Sequence, residues 1–392
     1  MREMLPRRGP SPKDRSALLE YFGGQRCVVR GDPANSTWHH LDDNKTHASY
    51  GNFLPLGSSF NTALRDARRE ANGGAIAVLK HGELTPDALL HQASVWHAKW
   101  QTGLAYGCAR LSYYVATAYL HEPPDRALPR ACDAIYYARH RFDSRFIEDV
   151  LRRDILPQIE DGRARATIGT RSTSLLLSQL AAICSEFGMA EYAATLFDEI
   201  ETRMRGTVIV DDVRQAALLR RRAMVAGTVG TYNREVDAQL RESIALAGDP
   251  NAELSVMTTK AWLLQRKEDW TGVATLLQPL YMRYRPTHGV AMQANALTAW
   301  NLAELFYAYG AAMAVVSPRR HRTTEDILRN ATTQFTLSGA RPYEIMPGHR
   351  NRLLAHLSTA GIAGPRLPHA GQPMSRSLKA LTMRAIRALD DR

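Results

Sequence analysis

Two adjacent histidines, His39 and His40, are followed by Asn52 twelve residues after His40 and by Asn61 nine residues after that. A neutral imidazole nitrogen and an amide oxygen can both bind a divalent ion. An ion that holds only two protein ligands keeps open positions for phosphate oxygens and water. His39 and Asn61 are the candidates for that pair. His40, next along an extended strand, points to the opposite face of an ideal pleat and would not ligate the same ion. Its ordinary pKa near neutrality suits it to take a proton from an attacking water. The chemistry suggested is metal-assisted hydrolysis of a phosphate ester.

Such a set needs a scaffold that gathers residues more than twenty positions apart. Val28 and Val29, then Thr37 to Leu41, are short β-prone runs separated by Gly31-Asp32-Pro33-Ala34-Asn35, whose residue types make turns, so a hairpin is expected there. From Ser58 or Ser59 to Glu70, apolar residues fall at Phe60, Ala63, Leu64 and Ala67, and a serine stands ready to cap the start of a helix. A strand pair followed by a helix would bring His39 and Asn61 together.

His39-His40-Leu41-Asp42, then Asn52-Phe53-Leu54-Pro55-Leu56, then Asn61, resembles in order and spacing the HNH endonucleases, the ββα-metal family. The resemblance covers about residues 15 to 72. It implies that His39 and Asn61 hold a hydrolytic Mg2+ or Mn2+, that His40 is the general base, and that Asn52 holds the loop and orients that base. The implied activity is phosphodiester hydrolysis; DNA is the expected substrate, although the residues themselves do not choose between DNA and RNA. Asp42 is either a partner of an imidazole or a turn residue. Many members of the family are also built around a zinc held by two Cys-x-x-Cys pairs. Here the corresponding pairs are Cys27 with Arg30 and Gly57 with Phe60, so no structural zinc is expected. Phe60 with Val28, Phe53, Leu54, Leu56 and Leu64 would form a small hydrophobic core in its place. The competing reading is a helical-repeat module that binds protein or peptide and carries an inactive remnant of the nuclease unit.

The expected fold class is mainly α, with a small N-terminal ββα-metal (HNH-like) domain followed by an α-solenoid of helical hairpins. From about Thr85 to Leu357 the sequence reads as helix pairs. Breaks at Gly188, Gly230, Glu268 and Gly310 are spaced by 42, 38 and 42 residues, the mark of a stacked array. Phe187-Gly188 with Tyr192, Ala193 and Phe197 resembles the tetratricopeptide repeat, although the strict period and the consensus tryptophan are missing. Such arrays bind a protein or peptide, or join two copies of the chain in a homodimer. The sequence alone does not choose between these uses. Residues 1–72 are read as the nuclease-like domain with a basic tail, 73–84 as a linker, 85–360 as the repeat domain and 361–374 as a second linker. Residues 375–392 form a basic amphipathic helix that either covers the end of the array or lies on DNA.

At 392 residues, with 45% hydrophobic and 23% charged residues, the composition is that of a globular protein with room for two or three domains. A formal charge of +11 permits binding to a polyanion, so nucleic acid is the expected partner. No apolar run approaches a membrane span and no signal-peptide core follows the first residues, so a cytoplasmic location without membrane contact is expected. Cys27, Cys108, Cys132 and Cys184 form no Cys-x-x-Cys pair and read as reduced packing residues. Arg220-Arg221-Arg222 and Arg319-Arg320-His321-Arg322 read as solvated faces, and Tyr113-Tyr114 and Tyr136-Tyr137 as packing between helices. Phosphate-cradling glycine loops, the Gly-x-Ser-x-Gly elbow and the dinucleotide fingerprint are absent from the sequence, and no nucleotide cofactor is implied.

Overall fold

The computed structural model describes residues 10–32, 36–41, 52–69, 79–139, 144–186, 189–204, 212–230, 233–248, 250–285, 296–338, 358, 361 and 375–390. These are mainly helical, with a small two-stranded antiparallel sheet. The chain divides into two compact units, residues 1–179 with 374–392, and residues 180–373.

In the first unit, Ser11 caps α1 (Pro12–Tyr21), its Oγ accepting from Asp14 N, and Pro12 supplies a preset φ at the first turn. Strands β1 (Ser36–His40) and β2 (Phe53–Gly57) pair antiparallel, with His39 opposite Leu54 and His40 opposite Phe53. Helix α2 (Ser58–Arg69) follows β2 directly and packs on both strands. The hairpin therefore differs from the one expected. Residues 27–31 close a turn in which Gly31 N donates to Cys27 O, and Cys27 N donates to Asp32 O. Val28 N donates to Pro55 O at 3.0 Å, but the turn bends the chain away after that bond. The apolar run at Phe53 to Leu56, every residue of it buried, is the better partner for β1.

Helices α3 (Pro86–Ala98), α4 (Thr102–Tyr114) and α5 (Pro124–Ala138) stack in order. α4 presents Gly103 and Gly107, one turn apart, to the beginning of the chain. A methyl group at Gly103 would stand 2.0 Å from Tyr21 O, and one at Gly107 would stand 2.5 Å from a Val28 methyl. The carbonyl of Val28 accepts from Trp96 Nε1 at 2.7 Å and from Cys108 Sγ at 2.9 Å. The hairpin and these helices thus share one core. The division read from the sequence at residues 73–84 falls inside this unit, although residues 73–78 themselves lie outside the described residues.

Next come α6 (Arg145–Val150), a π-helical turn over Leu151–Ile155, α7 (Leu156–Glu160) and α8 (Gly162–Ala166). The last described helix of the chain, numbered here α17 (Arg376–Asp390), docks on α6, the π turn and α7. It buries Leu378, Leu381, Ala385, Ile386 and Leu389, and Arg384 forks onto the carboxylate of Glu160, with 2.7 Å from Nη2 to Oε2. Ser375 caps it, as the sequence suggests, and also donates to Glu148. The amphipathic pattern is thus satisfied within the first unit. The proposed linker at 361–374 lies outside the described residues except for Gly361.

The second unit begins within α9 (Thr170–Glu186) and continues through α10 (Ala190–Met204), α11 (Asp212–Thr228), α12 (Arg234–Ala247), α13 (Pro250–Arg266), α14 (Trp270–Tyr284), α15 (Ala296–Val316) and α16 (His321–Ser338). From α10 to α16 each helix packs on the next, and α11 also touches α13, as α13 touches α15. One core cluster joins Ala223, Val236, Leu240, Val256 and Leu263 across α11, α12 and α13. The turn at Lys267-Glu268-Asp269 falls as expected, with Glu268 in the left-handed region at φ 58° and Asp269 capping α14. Gly310 is no break. It lies within the continuous α15, where an added methyl would meet Leu328 at 2.7 Å, so its smallness serves close packing on α16, and the chain turns at Ser317 to Arg320 instead. Gly188 lies outside the described residues. Among the described residues, no helix is long and apolar enough to cross a membrane.

Candidate metal centre

The pleat of β1 sorts its side chains. Thr37 and His39 face one side, and Trp38 and His40 the other. The second side is lined with aromatic rings: Trp38 lies 6.4 Å from Phe22, and the His40 ring stands edge-on to its cross-strand neighbour Phe53 at 4.7 Å. The first side faces α2. Because β2 runs into α2 without a loop, Asn61 arrives one turn into the helix, above Thr37 and His39. Asn61 Oδ1 lies 2.8 Å from His39 Nδ1, and Asn61 Nδ2 donates to Thr37 Oγ1 at 3.0 Å. The Thr37 hydroxyl in turn donates to the Leu56 carbonyl at 3.3 Å.

Asn52 is fully buried, and its carbonyl accepts from Leu41 N at 2.9 Å, which ties the two ends of the loop between the strands. Asp42 lies outside the described residues. The structure therefore brings together His39 and Asn61, seats Asn52 at the loop closure, and leaves His40 on the other face of the strand. Sequence reasoning missed Thr37. The available signal was its position two residues before His39, which in a strand places a hydroxyl on the same face as the imidazole.

Two lone-pair donors 2.8 Å apart fit a divalent ion. In an octahedral shell with bonds of about 2.1 Å, adjacent ligand atoms stand about 3.0 Å apart. The same distance suits a hydrogen bond when Nδ1 carries the imidazole proton; with that proton on Nε2 instead, Nδ1 presents a lone pair. His39 is 4% exposed, Asn61 is half-buried and Thr37 is exposed. Among the described residues, no group of three or more His, Cys, Asp and Glu side chains is arranged to hold an ion.

A second corner of the same unit gathers Cys27, Arg30, Gly57 and Phe60. Gly57 N donates to Cys27 Sγ at 3.2 Å, and the Arg30 guanidinium lies 4.9 Å over the Phe60 ring. A methyl built on Gly57 would touch both Cys27 Sγ and Phe60 at 3.5 Å. Four residues from two distant segments thus converge on one point through a thiol acceptor, a ring and a cation. The apolar set expected around Phe60 is buried: Val28, Phe53, Leu54, Leu56 and Leu64 are all at most 1% exposed, and Phe60 is 8% exposed.

Elsewhere in the first unit, polar groups are arranged for packing. Arg110 is buried between Asp149, at 3.0 Å from Nη2, and Asp154, at 2.5 Å from Nε, and it also donates to Tyr106 Oη at 2.7 Å. Asp149 and Asp154 are five residues apart. The i to i+5 bonding of the π turn sets them on one side of the helix, whereas a regular α-helix would splay them. Burial pushes the Asp154 carboxyl up to about 6 against the pull of Arg110. His97 stacks on Trp100 at 6.0 Å and meets Tyr136 and Tyr137, and burial pushes its imidazole down to about 4. Tyr113 is buried, and its hydroxyl donates to Asp154 O at 2.8 Å. In the second unit, Arg222 pairs with Asp198 at 3.5 Å and with Glu201 at 2.5 Å.

Comparison with known families, with curated proteins and with solved structures gives no match to this chain.

Proposed function

We propose that the chain is a metal-dependent endonuclease of the HNH type that hydrolyses phosphodiester bonds, with DNA as its substrate. The observation that carries this reading is the pair His39 Nδ1 and Asn61 Oδ1 at 2.8 Å, held on a β-hairpin and the helix that follows it. His39 and Asn61 would hold Mg2+ or Mn2+. Bound there, the ion supplies Lewis-acid stabilisation of the charge that develops on the phosphate and the leaving oxygen. His40 takes a proton from the attacking water, and Asn52 holds the loop that follows β1 and orients that base. Cys27, Arg30, Gly57 and Phe60 support the reading from another side, because they converge although they lack the thiolates a zinc would need.

The helix pairs of residues 180–373 are read as a tetratricopeptide-like solenoid that binds a protein or peptide partner or a second copy of the chain. Contacts between the first helices of successive pairs, α11 with α13 and α13 with α15, support this. The formal charge of +11 suits a nucleic-acid partner and a cytoplasmic protein that cuts under control of its repeats.

The side of the strand taken by His40 favours a second reading, a binding module with an inactive hairpin unit, because its ring rests against Phe53 on the face away from Asn61. Plasmid nicking in Mn2+ by the wild type and by His40→Ala separates the two. Loss of cleavage in the variant supports the nuclease, and no cleavage by either protein supports the binding module.

A further inference from the structure

We infer that Thr37 is a positioning residue of the metal site: its hydroxyl sets the orientation of the Asn61 amide, so that the oxygen and not the nitrogen faces the ion. This rests on the reading of His39 and Asn61 as metal ligands. An asparagine amide presents an acceptor on one side and a donor on the other, and a turn of 180° about its last bond exchanges them at almost no steric cost. A metal ligand must present the oxygen. The exchange is blocked by a chain of hydrogen bonds with one consistent direction. Thr37 gives its single hydrogen to the Leu56 carbonyl at 3.3 Å. Its oxygen can then only accept, so the Asn61 atom at 3.0 Å must be the donor Nδ2. Oδ1 is thereby left at 2.8 Å from His39 Nδ1.

Leu56 belongs to β2 and is the cross-strand partner of Thr37, so the acceptor that anchors the chain is fixed by the hairpin register itself. A valine at position 37 would keep the shape and the β-propensity of threonine but would offer no acceptor to Nδ2. The two amide orientations would then compete, and one of them aims an N–H pair at the cation. Partners that orient ligands in this way typically change metal affinity by about 10- to 100-fold when removed.

The test measures Mn2+ binding to the full-length protein by calorimetry, with circular dichroism to follow folding. Thr37→Val should weaken Mn2+ binding about 10-fold or more, and Thr37→Ser, which keeps the hydroxyl, should bind like the wild type. The decisive comparison is made in an Asn61→Asp background, where both side-chain oxygens are acceptors and there is no orientation to fix. There, adding Thr37→Val should leave Mn2+ affinity unchanged. Thr37→Val binding as tightly as the wild type overturns the role of Thr37 while leaving the metal site standing. An equal loss in the Asn61→Asp background would mean that Thr37 acts by general support of the strand, and also overturns it. A wild-type protein that binds no Mn2+ overturns the metal-site reading and this inference together.

Discussion

Two corners of the hairpin unit, one at His39 and Asn61 and the other at Cys27, Arg30, Gly57 and Phe60, are each built from residues far apart in sequence, and they solve opposite problems. At the first, His39 Nδ1 and Asn61 Oδ1 lie 2.8 Å apart at the end of a chain of hydrogen bonds through Thr37, with His39 buried and Asn61 half-buried. At the second, a thiol accepts from a backbone amide and a cation covers a buried ring, an arrangement that fills space and leaves no set of ligands. One corner is polar and held by hydrogen bonds, whereas the other is closed by packing. The contrast teaches that one small hairpin-and-helix unit can hold a polar pair at one corner and close another corner by apolar burial.

The comparison makes a sharp demand on mutants: changes at the first corner should alter activity and metal affinity with little effect on melting, and changes at the second should do the reverse. The largest effect is expected for His40→Ala, which should lower cleavage by about 100- to 10,000-fold while Mn2+ affinity stays near wild type. Cleavage at the wild-type rate would remove His40 from the mechanism. Phe60→Ala should cost about 3 kcal/mol of stability, the scale for losing a buried ring, and show as a lower denaturation midpoint. If chelators lower the midpoint of the wild type by as much, the second corner is not self-supporting.

A slightly smaller loss is expected for Gly103→Ala, about 2 kcal/mol from a methyl forced against the carbonyl of Tyr21. It tests whether the hairpin unit leans on α4, since an unaffected midpoint would mean that the two do not share a core. Acid should reveal His97. Its imidazole is held down at about 4, so the folded state binds fewer protons than the unfolded chain, and the stability this group contributes at neutral pH is lost as pH falls from about 6.5 toward about 4. The contribution is about 3 kcal/mol. The melting temperature of His97→Gln should therefore fall less between pH 7 and pH 4.5 than that of the wild type. The smallest effect is expected for Arg30→Ala. Its exposed guanidinium covers Phe60 and pairs with Glu83, so melting should drop only slightly, with cleavage unchanged.

How much of this could be read from the sequence depended on the range of the interaction. Caps announce themselves locally: Ser11, Thr85 and Ser375 each accept from a backbone N–H three residues on, as their residue types and the following helical pattern indicate. The pairs from α9 to α14 were legible for the same reason, because apolar spacing and polar turns repeat over long stretches. Strand pairing was not, since two valines at positions 28 and 29 carry the same local signal as the true strand at Phe53 to Leu56. The choice was made by a turn closed between Cys27 and Gly31. Gly310 misled in another way: a residue that usually breaks a helix here admits Leu328 of α16, which only the tertiary fold displays.

The site itself was legible in its residue types and illegible in its support. His39, Asn52 and Asn61 could be picked out by chemistry and spacing, and His39 and Asn61 do meet. Thr37 and the carbonyl of Leu56 could not be recognised before the register of β1 on β2 was known. The buried Arg110 with Asp149 and Asp154 was hidden for a related reason, because residues five apart share a helix side only where a π turn intervenes.

Plasmid cleavage and thermal melting, followed on the same sample first in EDTA and then after addition of Mn2+, separate a hydrolytic metal from a structural one. Cleavage should stop in EDTA and resume when Mn2+ is added, while the melting temperature and circular dichroism spectrum stay nearly constant throughout. Stoichiometric zinc in the purified protein, a large fall in melting temperature on chelation, or the absence of cleavage under any metal condition would contradict the account.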